Sequence, residues 1–462
     1  MLVGLGLSGC IPGAERPELN LEVPASYRTA GKGDADAAVP ALAWWRGFRS
    51  AELTGLMESA QLYNLDIAVA IAQIAQADAN VGISGAALLP SLSGAANAER
   101  QGAGAASGTS VGGTFSQFNV GLTASYILDF WGKNRATLAA SEESATAARY
   151  NREVVALSTM ATVANTYFQV LAAQDQIKVT RRNLAAAERI LALIKSQFAG
   201  GTASQLDLSQ QEALVATQRA AIPPLEVTVA QNIAALALLV ARAPANFTVR
   251  GGSTTQIAVP RVTPGLPSEL LYQRPDIRQA EAQLTSSNFS VDAARAAFFP
   301  QIQLTATNGS QSAALASLFG PGAWYYTLSA GLTQPLFDGF QLESQLKLAK
   351  GQQLQFLQTY RKSVLSAFAD VEKALIALQK FTLQERLQSD VVASSRKAFE
   401  VAETQLRGGT VNLITVLQAQ QTLFTAENNL VTVRLNKLLA ASSLFQALGG
   451  GWTPAGTLAA LQ

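Results

Sequence analysis

Two stretches of this chain contain almost nothing that stops a helix. Between Lys133 and Ala199 there is neither glycine nor proline, and between Phe340 and Arg407 there is one glycine, Gly351, and no proline. Each is about 67 residues, so at ~1.5 Å per residue each predicts a helix of roughly 100 Å. No compact domain contains such a helix; it has coiled-coil dimensions. The apolar pattern agrees. Val154, Leu157, Ala161, Ala164, Phe168 and Leu171 recur at steps of three and four. Leu184, Ala187, Leu191, Ile194 and Phe198 resume that rhythm after a slip, and Val364, Phe368, Val371, Leu375 and Leu378 repeat it. Abundant alanine beside these stripes suits a wall of helices, each packed on two sides, better than a two-stranded rod.

The two stretches belong to a tandem duplication. DIAVAIAQ at Asp66 to Gln73 aligns with DIRQAEAQ at Asp276 to Gln283, AALLP at Ala86 to Pro90 with AAFFP at Ala296 to Pro300, and Gly200-Gly201-Thr202 with Gly408-Gly409-Thr410. The offset stays near 210 residues throughout. Each copy runs in the same order: a helix ending at a proline, an alternating stretch, a Gly/Ser loop, a second alternating stretch, the long helix, a Gly-Gly turn and a returning helix. The first returning helix is interrupted at Pro223-Pro224. The expected layout is a leader segment over 1–10, an extended N-terminal segment over 11–50 and a first repeat over 51–250. A linker over 251–268 precedes a second repeat over 269–450 and a tail over 451–462, and the interrupted, non-repeating stretch around Ala243 to Pro267 is expected to form a small mixed belt.

The alternating stretches predict strands. Gln117 to Tyr126, Gln301 to Ala306 and Tyr326 to Thr333 alternate apolar and small polar residues with period two, and the stretch after Pro90 does so more weakly. Pro90 and Pro300 stand where helix must become strand, a position proline tolerates. An ordinary half-buried sheet alternates identically, so the aromatics decide. Phe130, Trp131, Phe298, Phe299 and Phe337 lie at the strand–helix junctions, and Phe115, Trp324, Tyr325 and Tyr326 at the far ends. Aromatics at both ends of an apolar band are the girdles of a membrane barrel. The loops 101–114 and 309–322, rich in Gly, Ser and Ala, suit its outer face. No apolar run reaches the ~18 residues of a membrane-spanning helix, so a crossing is expected from strands. Four strands leave two bare edges, which lipid does not tolerate. Two chains give about eight strands and a filled barrel, three give about twelve and an aqueous lumen.

Composition argues against chemistry. The chain is 48% hydrophobic and 14% charged with net charge +2, which gives no basic field for nucleic acid. It has one cysteine, Cys10, and no histidine. An intrachain disulfide framework, the commonest general base and the commonest metal ligand are thereby absent. Gly102 to Ser107 approaches a dinucleotide fingerprint but lacks the third glycine and the helix that should follow. No enzyme, cofactor or metal site is expected. Leu7-Ser8-Gly9-Cys10 reads as a bacterial lipobox with Cys10 as the acylated residue, although no basic segment precedes it.

Four segments carry a family resemblance: LLYQRPDIRQAEAQL at Leu270 to Leu284, LDFWGKNR at Leu128 to Arg135, LFDGFQLE at Leu336 to Glu343 and WWRGF at Trp44 to Phe48. The chain resembles the outer membrane factor family, with the TolC fold, and within it the lipid-anchored NodT-type branch of RND multidrug efflux proteins. The resemblance covers nearly the whole chain. It implies an α+β membrane protein: a homotrimer with a twelve-stranded outer-membrane β-barrel, four strands per chain, continued by an α-helical coiled-coil tunnel across the periplasm. It implies a passive duct without cofactor, a periplasmic adaptor and an inner-membrane RND-type pump as partners, and outer-membrane lipid around the barrel. The Gly-Gly turns become tips that meet the adaptor: Gly200, Gly201, Thr202, Ser204, Leu206 and Asp207 in the first copy, and Arg407, Gly408, Gly409, Thr410, Asn412 and Leu413 in the second. Family members close the tunnel with an apolar ring, an acidic ring and an arginine; the matching positions are Ile414, Gln418 and Gln421. Two glutamines in place of charges predict a softer, less ion-selective gate. A type I protein-secretion duct keeps the same fold with different cargo, and a structural coiled-coil surface protein accounts for the heptads but not for the strand pairs.

Overall fold

The computed structural model describes residues 16, 18–19, 21, 23–28, 43–102, 114–260, 265, 267–450 and 452. Cys10, the tail after Trp452 and most of loop 101–114 lie outside them. In chain order the elements are α1 (Ala51–Tyr63), α2 (Leu65–Ala86), β1 (Ser91–Gly102), β2 (Thr114–Leu128), α3 (Lys133–Ala199), α4 (Gln205–Ala220), α5 (Ile222–Leu239), α6 (Leu270–Gln273), α7 (Pro275–Ala296), β3 (Gln301–Ser312), β4 (Trp324–Thr333), α8 (Gln341–Arg407) and α9 (Leu413–Ala447). Both α3 and α8 run unbroken for 67 residues. Pro223 and Pro224 lie inside the first turn of α5, where proline is tolerated, and the break falls at Ala221. Around the linker the described residues hold short 3₁₀ turns at Pro244–Asn246, Thr254–Gln256 and Pro267–Glu269.

The chain forms two compact units. One comprises Met1–Asn20, Ala72–Arg149 and Gln279–Arg361 and contains the sheet. Its strands are antiparallel in the order β1-β2-β3-β4, with β1 and β4 at the edges. Odd residues pair with odd and even with even throughout, as in Leu122↔Gly94, Tyr126↔Leu304 and Ala306↔Leu328. Alternation of side chains therefore gives the sheet two faces of different chemistry. The even face carries Leu92, Val120, Leu122, Tyr126, Leu304, Leu328 and Leu332; the odd face carries Ser93, Asn119, Thr123, Gln303, Thr305, Thr307 and Ser329. Pro90 directly precedes β1 and Pro300 directly precedes β3.

The two strand-to-helix junctions are built alike. Gly132 (φ 76°) and Gly339 (φ 68°) take the left-handed turn that L side chains resist. Asp129 accepts the backbone N–H groups of Asn134 and Arg135, both at 2.9 Å, and Asp338 accepts that of Leu342 at 2.8 Å. These carboxylates satisfy orphan donors at the starts of α3 and α8. The Trp131 indole donates to the Pro300 carbonyl at 2.8 Å while its ring stacks on Phe299 at 4.8 Å.

The other unit comprises Leu21–Ile71, Tyr150–Arg278 and Lys362–Gln462. WWRGF forms a 3₁₀ turn whose Trp44, Trp45 and Phe48 are buried with Leu53, Met57, Phe168, Leu171, Leu236 and Phe445. Two carboxylates tie the linker to this core. Glu52 accepts the N–H groups of Arg250 (2.7 Å) and Gly251 (3.1 Å), and Asp175 accepts the N–H (2.8 Å) and hydroxyl (2.7 Å) of Thr254. The buried seam departs from the expected heptads. In α8 it runs Val364, Ala367, Val371 and Ala374, with Phe368, Leu375 and Leu378 half-buried, and in α3 Phe198 is exposed. A helix of 3.6 residues per turn drifts against a 3.5-residue repeat, and alanine supplies the contact as the seam moves. By length and composition Ala51–Ala86, Lys133–Ala199 and Gln205–Leu239 are also apolar enough to span a membrane, where the sequence reading expects no such run. Alanine again is the source, and in α3 more than half of the apolar window is packed inside the chain.

The Arg274 of the QRPDI segment fixes the end of α9. It forks onto Asp276 (2.7 and 3.0 Å), donates to the Ala447 carbonyl (3.1 Å) and faces Asp370 at 3.5 Å, with only 11% of its side chain exposed. Lysine keeps the charge but not the planar fork. Arg274→Lys is therefore expected to destabilise the detergent-solubilised protein by about 1.5–3 kcal/mol, read as a lower thermal unfolding midpoint; an unchanged midpoint refutes this anchoring role.

Candidate functional site

At each Gly-Gly turn a helix ends and its partner begins within a few residues. Gly201 (φ 74°) and Gly409 (φ 71°) adopt left-handed geometry. Thr202 donates its N–H and hydroxyl to the Gln197 carbonyl at 2.9 and 3.0 Å, and Thr410 does the same to Gln405 at 2.9 and 3.1 Å. This is the Schellman closure that satisfies last-turn carbonyls. The following helices start differently. Ser204 and Asp207 form a reciprocal capping box at α4. At α9, Asn412 accepts from the Thr415 N–H (3.1 Å) and hydroxyl (2.9 Å). Gly200, Gly201, Thr202, Ser204, Leu206, Arg407, Gly408, Gly409, Thr410 and Asn412 are exposed, and Asp207 is half-buried. Leu413 is turned into the core with Val416, Leu423 and Phe424. Ile414, Gln418 and Gln421 form one exposed stripe on α9 at helical spacing.

Behind these surfaces lie ion pairs that heptad reading passed over. Lys195–Glu212 (3.5 Å), Glu188–Arg219 (2.7 Å) and Arg181–Glu226 (3.0 Å) join α3 to α4 and α5. The steps are one heptad on each helix, and charge alternates along both. A one-heptad slip sets Lys195 against Arg219 and Glu188 against Glu226, so the pattern selects one register. The signal was in the sequence: opposite charges equidistant from the first turn. In the second hairpin Glu427 on α9, 7% exposed, is held by Arg396 of α8 at 2.6 Å and Arg182 of α3 at 3.5 Å. Its sequence signal was a lone charge amid Leu423, Phe424, Leu430 and Val431. Glu385 of α8 takes Arg434 (3.1 Å) and Lys437 (2.9 Å) from α9.

Burial separates these pairs energetically. Exposed pairs contribute about 0–1 kcal/mol, whereas removing one partner of a buried pair costs about 3–5 kcal/mol. Glu427→Gln is expected to lower the unfolding midpoint severalfold more than Glu226→Gln; equal shifts refute the ranking. Acid acts on the same hairpins. Burial pushes the Glu385 carboxyl up, but the hydrogen bonds and charges of Lys437 and Arg434 outweigh it and hold it below the ordinary glutamate value. Asp207 is held low by the hydroxyl and then the backbone N–H of Ser204. A depressed folded-state pKa gives stability present above the unfolded value and lost as pH falls through the folded one. Acid titration downward from the ordinary glutamate value of 4.5 should therefore weaken the wild type. Glu385→Gln should flatten that slope; an unchanged slope removes Glu385 as a contributor.

A family model described as outer membrane efflux protein matches residues 56–242 and 266–450. The chain is 36% identical over 454 residues to the pyoverdine export outer membrane protein OpmQ of Pseudomonas aeruginosa, covering 97% of this chain and 95% of that one. It is 32% identical over 459 residues to the solvent efflux pump outer membrane protein SrpC of Pseudomonas putida, covering 98% of each. The open-state MtrE outer membrane channel of Neisseria gonorrhoeae superposes with a TM-score of 0.82 at 28% identity, over 95% of this chain and 98% of that one. With its two-faced sheet and paired helical hairpins, the chain belongs to the outer membrane efflux protein family and is an outer-membrane efflux channel of TolC-like fold.

Proposed function

We propose that three copies close into a twelve-stranded barrel and a helical tunnel, forming the passive exit duct of a tripartite pump that exports small molecules. The observation that carries this is the sheet: one apolar and one polar face, with bare edges at β1 and β4. Such a sheet is stable in lipid only when its edges are paired by further chains. Cys10 anchors each chain to the membrane through acyl chains. The duct needs no cofactor and carries out no reaction; the driving energy belongs to an inner-membrane RND-type pump. A periplasmic adaptor seats on the exposed tip residues Gly200 to Leu206, with Asp207, and Arg407 to Asn412. The inward position of Leu413 supports a packing role there instead of direct contact. Ile414, Gln418 and Gln421 narrow the tunnel. OpmQ and SrpC are named for pyoverdine and solvent export, which favours small-molecule cargo over secreted protein. Deleting the gene should raise accumulation of dyes and antibiotics severalfold, and the triple variant Ile414→Ala, Gln418→Ala, Gln421→Ala should raise planar-bilayer conductance. Unchanged conductance removes the gate assignment, and a detergent-free soluble monomer removes the duct.

A further inference from the structure

From Ser91 to Leu128 and from Gln301 to Phe337, strands and loops together, the chain has two charged residues, Glu99 and Arg100. They are neighbours near the far end of β1, away from the proline junctions, and successive side chains on a strand point to opposite faces. Glu99 goes to the polar odd face and Arg100 to the apolar even face, across from Ser116 of β2. Arg100 is exposed, and among the described residues it enters no ion pair. Four residues back along the same face, roughly 13 Å at the rise of a strand, lies an open hollow of about 470 Å³. Ala96, Val120, Leu122 and Trp324 line it, and Phe319 of the β3–β4 loop reaches it while 81% exposed. The Trp324 indole donates to Asn308 at 2.9 Å and its ring meets Tyr326 at 5.4 Å, which fixes the wall on that side.

We propose that this end of the even face binds a phosphorylated lipid of the outer leaflet, with its phosphate on Arg100 and an acyl chain in the hollow. This rests on the reading of the apolar face as the one that meets lipid. All four strands join helices at one end, so in a channel that extends into the periplasm the opposite end, with Arg100, points outward. The order along β1 then matches an outer-leaflet amphiphile: charge first, apolar hollow toward the middle of the layer. A guanidinium presents a planar fork of donors that grips a phosphate in two places. No carboxylate of the sheet or its loops competes for it on this face, and hydrocarbon offers no anion, so lipid phosphate is the partner present at that depth. Pairing of the β1 edge with another copy occupies backbone groups and leaves both faces as they are. The ring of Phe319, which the chain leaves bare, is covered by acyl chains in the same site.

Titration of the full-length protein in detergent with lipid A, a phosphorylated glycolipid, tests this. The wild type should bind it at least about tenfold more tightly than Arg100→Gln does. The same loss should follow when lipid A stripped of its phosphates is offered to the wild type, an arm that no folding defect can mimic. Phe319→Ser should weaken binding of both lipids, whereas Glu99→Gln, on the other face, should bind as the wild type does. Arg100→Gln at wild-type affinity, or equal binding of the two lipids by the wild type, overturns the proposal. Displacement of lipid A by inorganic phosphate alone also overturns it, because the site is then one for a free anion. A wild type that fails to insert into phosphatidylethanolamine vesicles overturns instead the lipid-facing reading on which it rests.

Discussion

Inside a hydrocarbon layer an unpaired N–H or C=O has no water to turn to, and this governs the architecture. The sheet satisfies its interior ladder through β1-β2-β3-β4 and leaves its outer strands open. Its period-two chemistry sorts leucine, tyrosine and valine to one face and serine, threonine and glutamine to the other. Neither face is at rest in a uniform solvent. Proline at the entry to β1 and β3, and an aspartate cap with a left-handed glycine at the entry to α3 and α8, convert this solution into helix without leaving helix-start donors bare.

Along the long helices the problem changes from satisfying backbone to fixing register. A heptad seam rich in alanine holds helices close but says little about which turn faces which, since one heptad of sliding restores nearly the same contacts. Charge resolves the ambiguity in two ways. In the first hairpin three exposed pairs of alternating sign discriminate between registers while adding little stability. In the second a buried glutamate shared by two arginines holds α9 to both long helices, and its sensitivity to the loss of any member is correspondingly high.

Much of this was legible in the chain. The absence of helix breakers located α3 to the residue and α8 to within one, because a long helix is defined by what interrupts it. The Gly-Gly-Thr turns were legible because left-handed geometry has few substitutes. The seam in α8 was not: Phe368 and Leu375 outrank Ala367 and Ala374 in hydrophobicity, but space between closely packed helices favours the smaller side chain. Leu413 read as a tip residue by proximity to the turn, and one residue of rotation put it inside. The charges paired across helices were also missed, since pairing depends on distance from a turn and not on spacing along one stretch of sequence. Alanine misled twice, first in the seam and then in making α3 look fit for a bilayer.

The alternating charges on α3 and its returning partner have a kinematic consequence. Sliding one helix along the other by a heptad sets like charges together in either direction, so each slipped position is disfavoured against the seated one, modestly because the side chains are exposed. The glycine turn only has to reverse the chain; where along the two helices each residue meets its partner is set by the charges that follow it.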